Sequence, residues 1–148
     1  MKNKTLVVWL CLVVGPLGLH RFYLRGWGDV LGWLLPIPTA LGLYGVERIQ
    51  RFGIDDRISW VLLPVLGFTI AGCALTAIVY GLMGATQWNT KFNRQAVTPN
   101  IAGNSNWLTV GALVLALMVG STSLIASLAF AIQGYFQSQV EQARKISQ

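Results

Sequence analysis

The segment from Trp60 to Leu82 reads WVLLPVLGFTIAGCALTAIVYGL and contains no charged residue. It exceeds the roughly 20 residues that a helix needs to cross about 30 Å of hydrocarbon. Asp55 or Asp56 supplies a cap ahead of it, Trp60 enters at the interface, and the apolar run reaches about Ala85. The rest of the composition agrees with a membrane protein. Hydrophobic residues make up 54% of the chain and charged residues 11%, against about 25% charged in soluble domains. The net charge of +6 does not imply nucleic acid, because no basic patch with interleaved aromatics exists. The Lys and Arg residues are scattered between apolar blocks, as expected beside anionic lipid.

Three further apolar stretches flank this segment. The first runs from Thr5 to about Leu24; its uncharged part, Thr5–Leu19, is short, which puts His20 and Arg21 near the far interface, and Gly15-Pro16 should kink it. Lys2 and Lys4 before Leu6–Val14 look like the start of a signal peptide, but no small-x-small site follows, so the stretch reads as a retained helix. The second starts at Asp29, a candidate N-cap, is uncharged from Val30 to Val46, and bends at Pro36-Ile37-Pro38. Glu47 and Arg51 then form an acid-before-base pair, and Gly53 offers a stop. The last stretch runs from Trp107 to Ile132, followed by a polar, helix-compatible tail from Gln133.

The expectation is an all-α integral membrane protein of four transmembrane helices arranged as two helical hairpins, residues 1–57 and 58–148. Between the last two spans lies the one long polar loop, Gly84–Asn106, with Pro99, Gly103 and Asn104 as turn formers; a loop of that length is functional or mobile. In this arrangement seven Lys and Arg residues share the side of both termini, against four on the other: Arg21, Arg25, Lys91 and Arg94. The positive-inside rule then puts both termini in the cytoplasm, with a bacterial inner membrane as the expected location.

Within the first stretch, Gly15-Pro16-Leu17-Gly18-Leu19-His20-Arg21-Phe22-Tyr23-Leu24 is unusual for a lipid-facing helix end. It resembles the signature of the TM-two domain family, in which spaced glycines precede His or Asp, Arg, Phe and Tyr. The matching positions are Gly15, Gly18, His20, Arg21, Phe22 and Tyr23, and the resemblance covers about residues 1–57. Arg25 stands where the family usually has glycine, and Glu47 approximates an acidic position near the end of the second helix, with Tyr44 where tryptophan is common. The resemblance implies a two-helix membrane module. The family has no single established reaction, so it implies no catalytic residues.

The remaining candidates read as structural. His20 as a proton relay would need an acid within its span, and none lies between Thr5 and Leu24. Asp55 and Asp56 point in different directions on a helix and suit capping and ion pairing. Cys11 and Cys73 sit in apolar blocks as small hydrophobes. In the last stretch Ala112, Ala116 and Gly120 are spaced by four, and Ser123, Ser127 and Ala131 extend the same face. Small residues at that spacing allow close helix contact in lipid, either within the chain or with a partner. No nucleotide loop, catalytic set or Cys-His cluster occurs, so neither cofactor, metal nor enzyme activity is expected. The expected role is a non-enzymatic structural or accessory membrane protein packing laterally on another membrane protein. The alternatives are an oligomeric transporter or channel subunit, and a membrane-anchored sensor.

Overall fold

The structure, a computed structural model, describes residues 1–53, 56–94 and 101–146. Asp55 and Pro99 lie outside them. Among the described residues all regular structure is helical. Helix α1 spans Lys4–Val14, a 3₁₀ turn Gly15–Leu17, α2 Leu19–Arg25, α3 Val30–Leu34 and α4 Pro36–Phe52. Helix α5 spans Ser59–Leu82, α6 Ala85–Phe92, a second 3₁₀ turn Ile101–Gly103, and α7 Trp107–Ile146.

Asn3 caps α1, its side chain accepting from the N–H groups of Thr5 and Leu6. Asp56 does the equivalent for α5, accepting from Ser59 N at 3.1 Å and Ser59 Oγ at 2.5 Å. Asp29, expected as the cap of the second stretch, makes no such bond, because its carboxylate is taken by Arg21. The expected bend at Pro36-Ile37-Pro38 falls where α3 meets α4: Pro36 is the first residue of α4, a position that needs no backbone donor.

Among the described residues, three helical stretches are long and apolar enough to cross a bilayer: Val30–Phe52, Ser59–Leu82 and Trp107–Ile146. The expected fourth is not a single rod. The apolar helix Lys4–Leu17 is shorter, about 21 Å at 1.5 Å per residue. At Gly18, with φ +76°, the chain reverses and α2 runs back along α1. Lys2 Nζ donates to Leu24 O, and Asn3 N donates to the Tyr23 hydroxyl at 3.3 Å. The tip of this pair, Gly15, rests on Cys73, half-way along α5. Residues 4–25 therefore enter the bundle to mid-depth and return to the end they started from.

The re-entrant pair changes the topology. Lys4 Nζ donates to Met83 O at the C-terminal end of α5, whereas Arg57, at the other end, pairs with Glu141 of α7. The chain ends thus lie at opposite ends of the bundle, and the expectation that they share a side is not met. With Lys2 and Lys4 moved across, five Lys and Arg residues stand at one end and six at the other. The charge bias no longer favours either orientation. The core also crosses the boundary expected at residue 57: Val7, Val8 and Cys11 of α1 pack with Ala74 and Ala77 of α5 and with Ala112 and Ala116 of α7.

Helix α5 is the centre of the bundle, with α1, α4 and α7 all packed on it. Its contact with α7 keeps a regular register. Trp60 faces Gly134, Gly67 faces Ser127, Ala74 faces Gly120, and Gly81 faces Leu113. Each step is seven residues on both helices, in opposite directions, which is the period of a left-handed antiparallel pair. Small residues let the backbones approach, since in lipid no hydrophobic gain drives helices together.

Candidate functional site

The signature residues meet around the re-entrant turn. Gly18 needs its left-handed backbone, and a Cβ there would stand 2.2 Å from Gly32 O of α3. Gly32 in turn leaves room for the Phe22 ring. Phe22 stacks on Trp27 at 5.3 Å between centroids and meets Trp33 edge-on at 5.2 Å. Trp33 Nε1 donates to Trp27 O at 3.0 Å, which fixes the loop. Arg21 Nε donates to Asp29 at 2.5 Å, and Arg25 approaches the same carboxylate at 3.7 Å. The hydrogen bond from Arg21, with the fields of both arginines, holds the Asp29 carboxyl below its ordinary range. At the other end, bonds from Arg48 and then Ser59 hold the Asp56 carboxyl well below it.

Non-helical backbone at membrane depth is tolerated only where its polar groups are satisfied. Here Pro16 O accepts from Thr39 Oγ1 at 2.8 Å, and Gly15 O from Gly18 N at 2.8 Å. Gly18 O accepts from Arg21 N and Phe22 N. The turn is therefore a closed structural element, and the threonine from α4 completes it.

His20 faces a cleft of about 500 Å³ between α2, the α3–α4 rod and α5. The side chain is 2% exposed, and its Nδ1 is buried with no hydrogen-bond partner. The expected place near the far interface is corrected by the fold-back: the cleft is lined by Thr69, Cys73 and Thr76, in the middle of α5. Thr69 and Thr76 spend their hydroxyls on the Val65 and Gly72 carbonyls of their own helix.

The small-residue stripe of α7 lies elsewhere. Ala112 and Ala116 are fully buried, Ser127 nearly so, and Gly120 rests on Ala74. Ser123 presents its carbonyl to Gly67, while Ala131 lines a separate cleft near Trp60 and Tyr135. The stripe thus packs on α5 of the same chain.

Two residues that the sequence did not single out anchor the N-terminus. Lys4 is buried, its ammonium bonded to Met83 O at 2.9 Å and Ser105 Oγ at 2.7 Å, so it caps the C-terminal end of α5. Trp88 of α6 is fully buried and donates from Nε1 to Lys2 O at 2.9 Å. Asn93 bonds both backbone groups of Lys2. The described part of the polar loop is therefore folded onto the N-terminus. In the sequence Lys4 reads as a membrane flank and Trp88 as an interfacial aromatic; nothing local distinguishes a buried lysine from an exposed one.

No curated protein and no solved structure matches the chain. A family match exists for the part that holds the re-entrant turn: residues 1–48 match the family model described as TM2 domain.

Proposed function

We propose that this multi-pass membrane protein is a non-enzymatic accessory component that binds another membrane protein laterally, through the open face of α5. One observation carries the reading. Although α1, α4 and α7 all pack on α5, Val61, Phe68, Gly72 and Leu75 stay exposed between α4 and α7, with Val65 half-buried among them. Val61 is 67% exposed and Leu75 62%. The spacing is that of one helix face, and three clefts follow it in sequence, each touching Phe68. A groove between two helices, floored by a third, has the shape that receives a further helix. We further propose a bacterial inner membrane as its location; its candidate spans are apolar helices, not barrel strands.

A photo-reactive residue at Val61 or at Leu75, activated in native membranes, tests this. The expected result is an adduct with one discrete membrane protein from both positions. An adduct at twice the mass of the chain would instead favour an oligomeric transporter or channel subunit. Adducts with lipid alone would contradict lateral binding.

A further inference from the structure

Charge is divided unevenly between the two ends of the bundle. At the end that holds Arg57, acids answer the cations: Arg48 pairs with Asp56 at 2.8 Å, Arg51 with Glu47 at 2.5 Å, and Arg57 with Glu141. The end that holds the N-terminus has Lys2, Lys4, Arg21, Arg25, Lys91 and Arg94, and among the described residues Asp29 is its single acid. Six cations against one carboxylate leave this end at +5, so it gathers nearly all of the chain's net charge of +6.

Hydrogen bonds bring these cations together. Lys2 lies between α2 and α6. Its Nζ donates to Leu24 O, beside Arg25, and its own carbonyl accepts from Trp88 and from Asn93, which stands between Lys91 and Arg94 in sequence. Arg21 and Arg25 share the one Asp29 carboxylate, so their loop stays positive, and the Arg25 side chain is 51% exposed. Lys91 and Arg94 are exposed as well. Lys4, buried beneath them, adds its charge to the same field.

Aromatic side chains mark the level at which these cations stand. Trp27, two residues from Arg25, is 74% exposed. Trp107 is 88% exposed, and it follows Asn106, whose side chain accepts from Thr5 at the same end. Indoles favour the headgroup layer of a bilayer. Exposed cations at that level meet lipid phosphates, whose oxygens a guanidinium matches with paired N–H groups. A zwitterionic headgroup carries its own cation and leaves the excess charge unanswered, whereas a net-negative headgroup neutralises it.

We propose that the N-terminal end of the bundle binds anionic phospholipid, with Arg25, Lys91 and Arg94 facing the headgroup phosphates. This surface lies at the rim of the bundle and not on the open face of α5, so the inference stands without a protein partner.

The test uses the full-length protein in phosphatidylcholine nanodiscs, with one fluorescent label on Gly28→Cys in a background lacking Cys11 and Cys73. Gly28 is exposed, with open space around it. Phosphatidylglycerol or phosphatidylcholine bearing a nitroxide is added at equal mole fraction, and quenching reads which lipid gathers beside the loop. Phosphatidylglycerol should be preferred roughly fivefold, the worth of one cation at a membrane surface. The preference should shrink as added salt screens it. Arg25→Gln, Lys91→Gln and Arg94→Gln together should bring it close to one. Arg51→Gln, Arg144→Gln and Lys145→Gln remove the same charge from the other end and should leave it intact. If the first triple variant does not fold, the salt titration of the native protein carries the test. Equal quenching by the two lipids, a preference that salt leaves unchanged, or equal loss in both triple variants would overturn the proposal.

Discussion

Gly18 carries the turn between α1 and α2 for two separate reasons. Its φ of +76° disfavours any side chain, and Gly32 O occupies the space where a Cβ would go. Gly26, with φ +84°, shares the first reason only, since nothing lies within 4 Å of its Cβ position. Gly26→Ala should therefore cost about 1–3 kcal/mol, since φ +84° with ψ 178° is a region held almost only by glycine. Gly18→Ala should cost about 3 kcal/mol or more, because backbone must also move. Thermal unfolding of the two variants in detergent checks this; equal losses would mean that Gly32 does not press on the turn. The glycine spacing and the His-Arg-Phe-Tyr run were legible as a unit in the sequence. Their geometry was not, since a glycine chosen for positive φ and one chosen for a kink look alike on the page. Distance along a straight helix puts His20 near an interface, but the chain turns back at Gly18, just before it.

Between elements, the register of α5 on α7 decides what the small residues do. A Cβ at Gly120 would stand 2.8 Å from the Ala74 Cβ, and one at Gly67 would collide with Ser127 Oγ. Gly120→Leu should thus lose about 1–3 kcal/mol of monomer stability through overpacking. Val114→Leu, at a position 54% exposed, should be near neutral. Unfolding midpoints of the two in detergent would separate them. A folded Gly120→Leu monomer that merely loses a companion protein would show that the stripe faces outward. The spacing by four on α7 was readable in advance as a close contact. Which helix it met was not, because small residues serve an internal mate and an external one by the same packing physics. The mates on α5 recur every seven residues, Gly67, Ala74 and Gly81. That pattern is hard to see in a run where most residues are apolar.

For the molecule as a whole, hydropathy identifies the bilayer as solvent but does not fix the number of crossings. Apolar residues from Leu6 to Val14 suit a helix that spans and one that dips to mid-depth equally well. The difference lies in polar contacts far apart in sequence: Lys4 with Met83 and Ser105, Trp88 with Lys2, and Thr39 with Pro16. These satisfy the broken backbone and anchor the N-terminus at the C-terminal end of α5. The His20 cleft depends on that fold-back, since a straight first helix would carry His20 away from Cys73 and Thr76. The direct measurement is the sidedness of single cysteines at Asn3, Gly28 and Gln142, in a background lacking Cys11 and Cys73, probed with an impermeant thiol reagent on sealed, oriented membranes. All three positions are exposed, and Gly28 has open space around it. Labelling of Asn3 and Gly28 from one side and Gln142 from the other is the predicted result; labelling of Asn3 with Gln142, and Gly28 opposite, would restore four crossings and contradict the re-entrant pair.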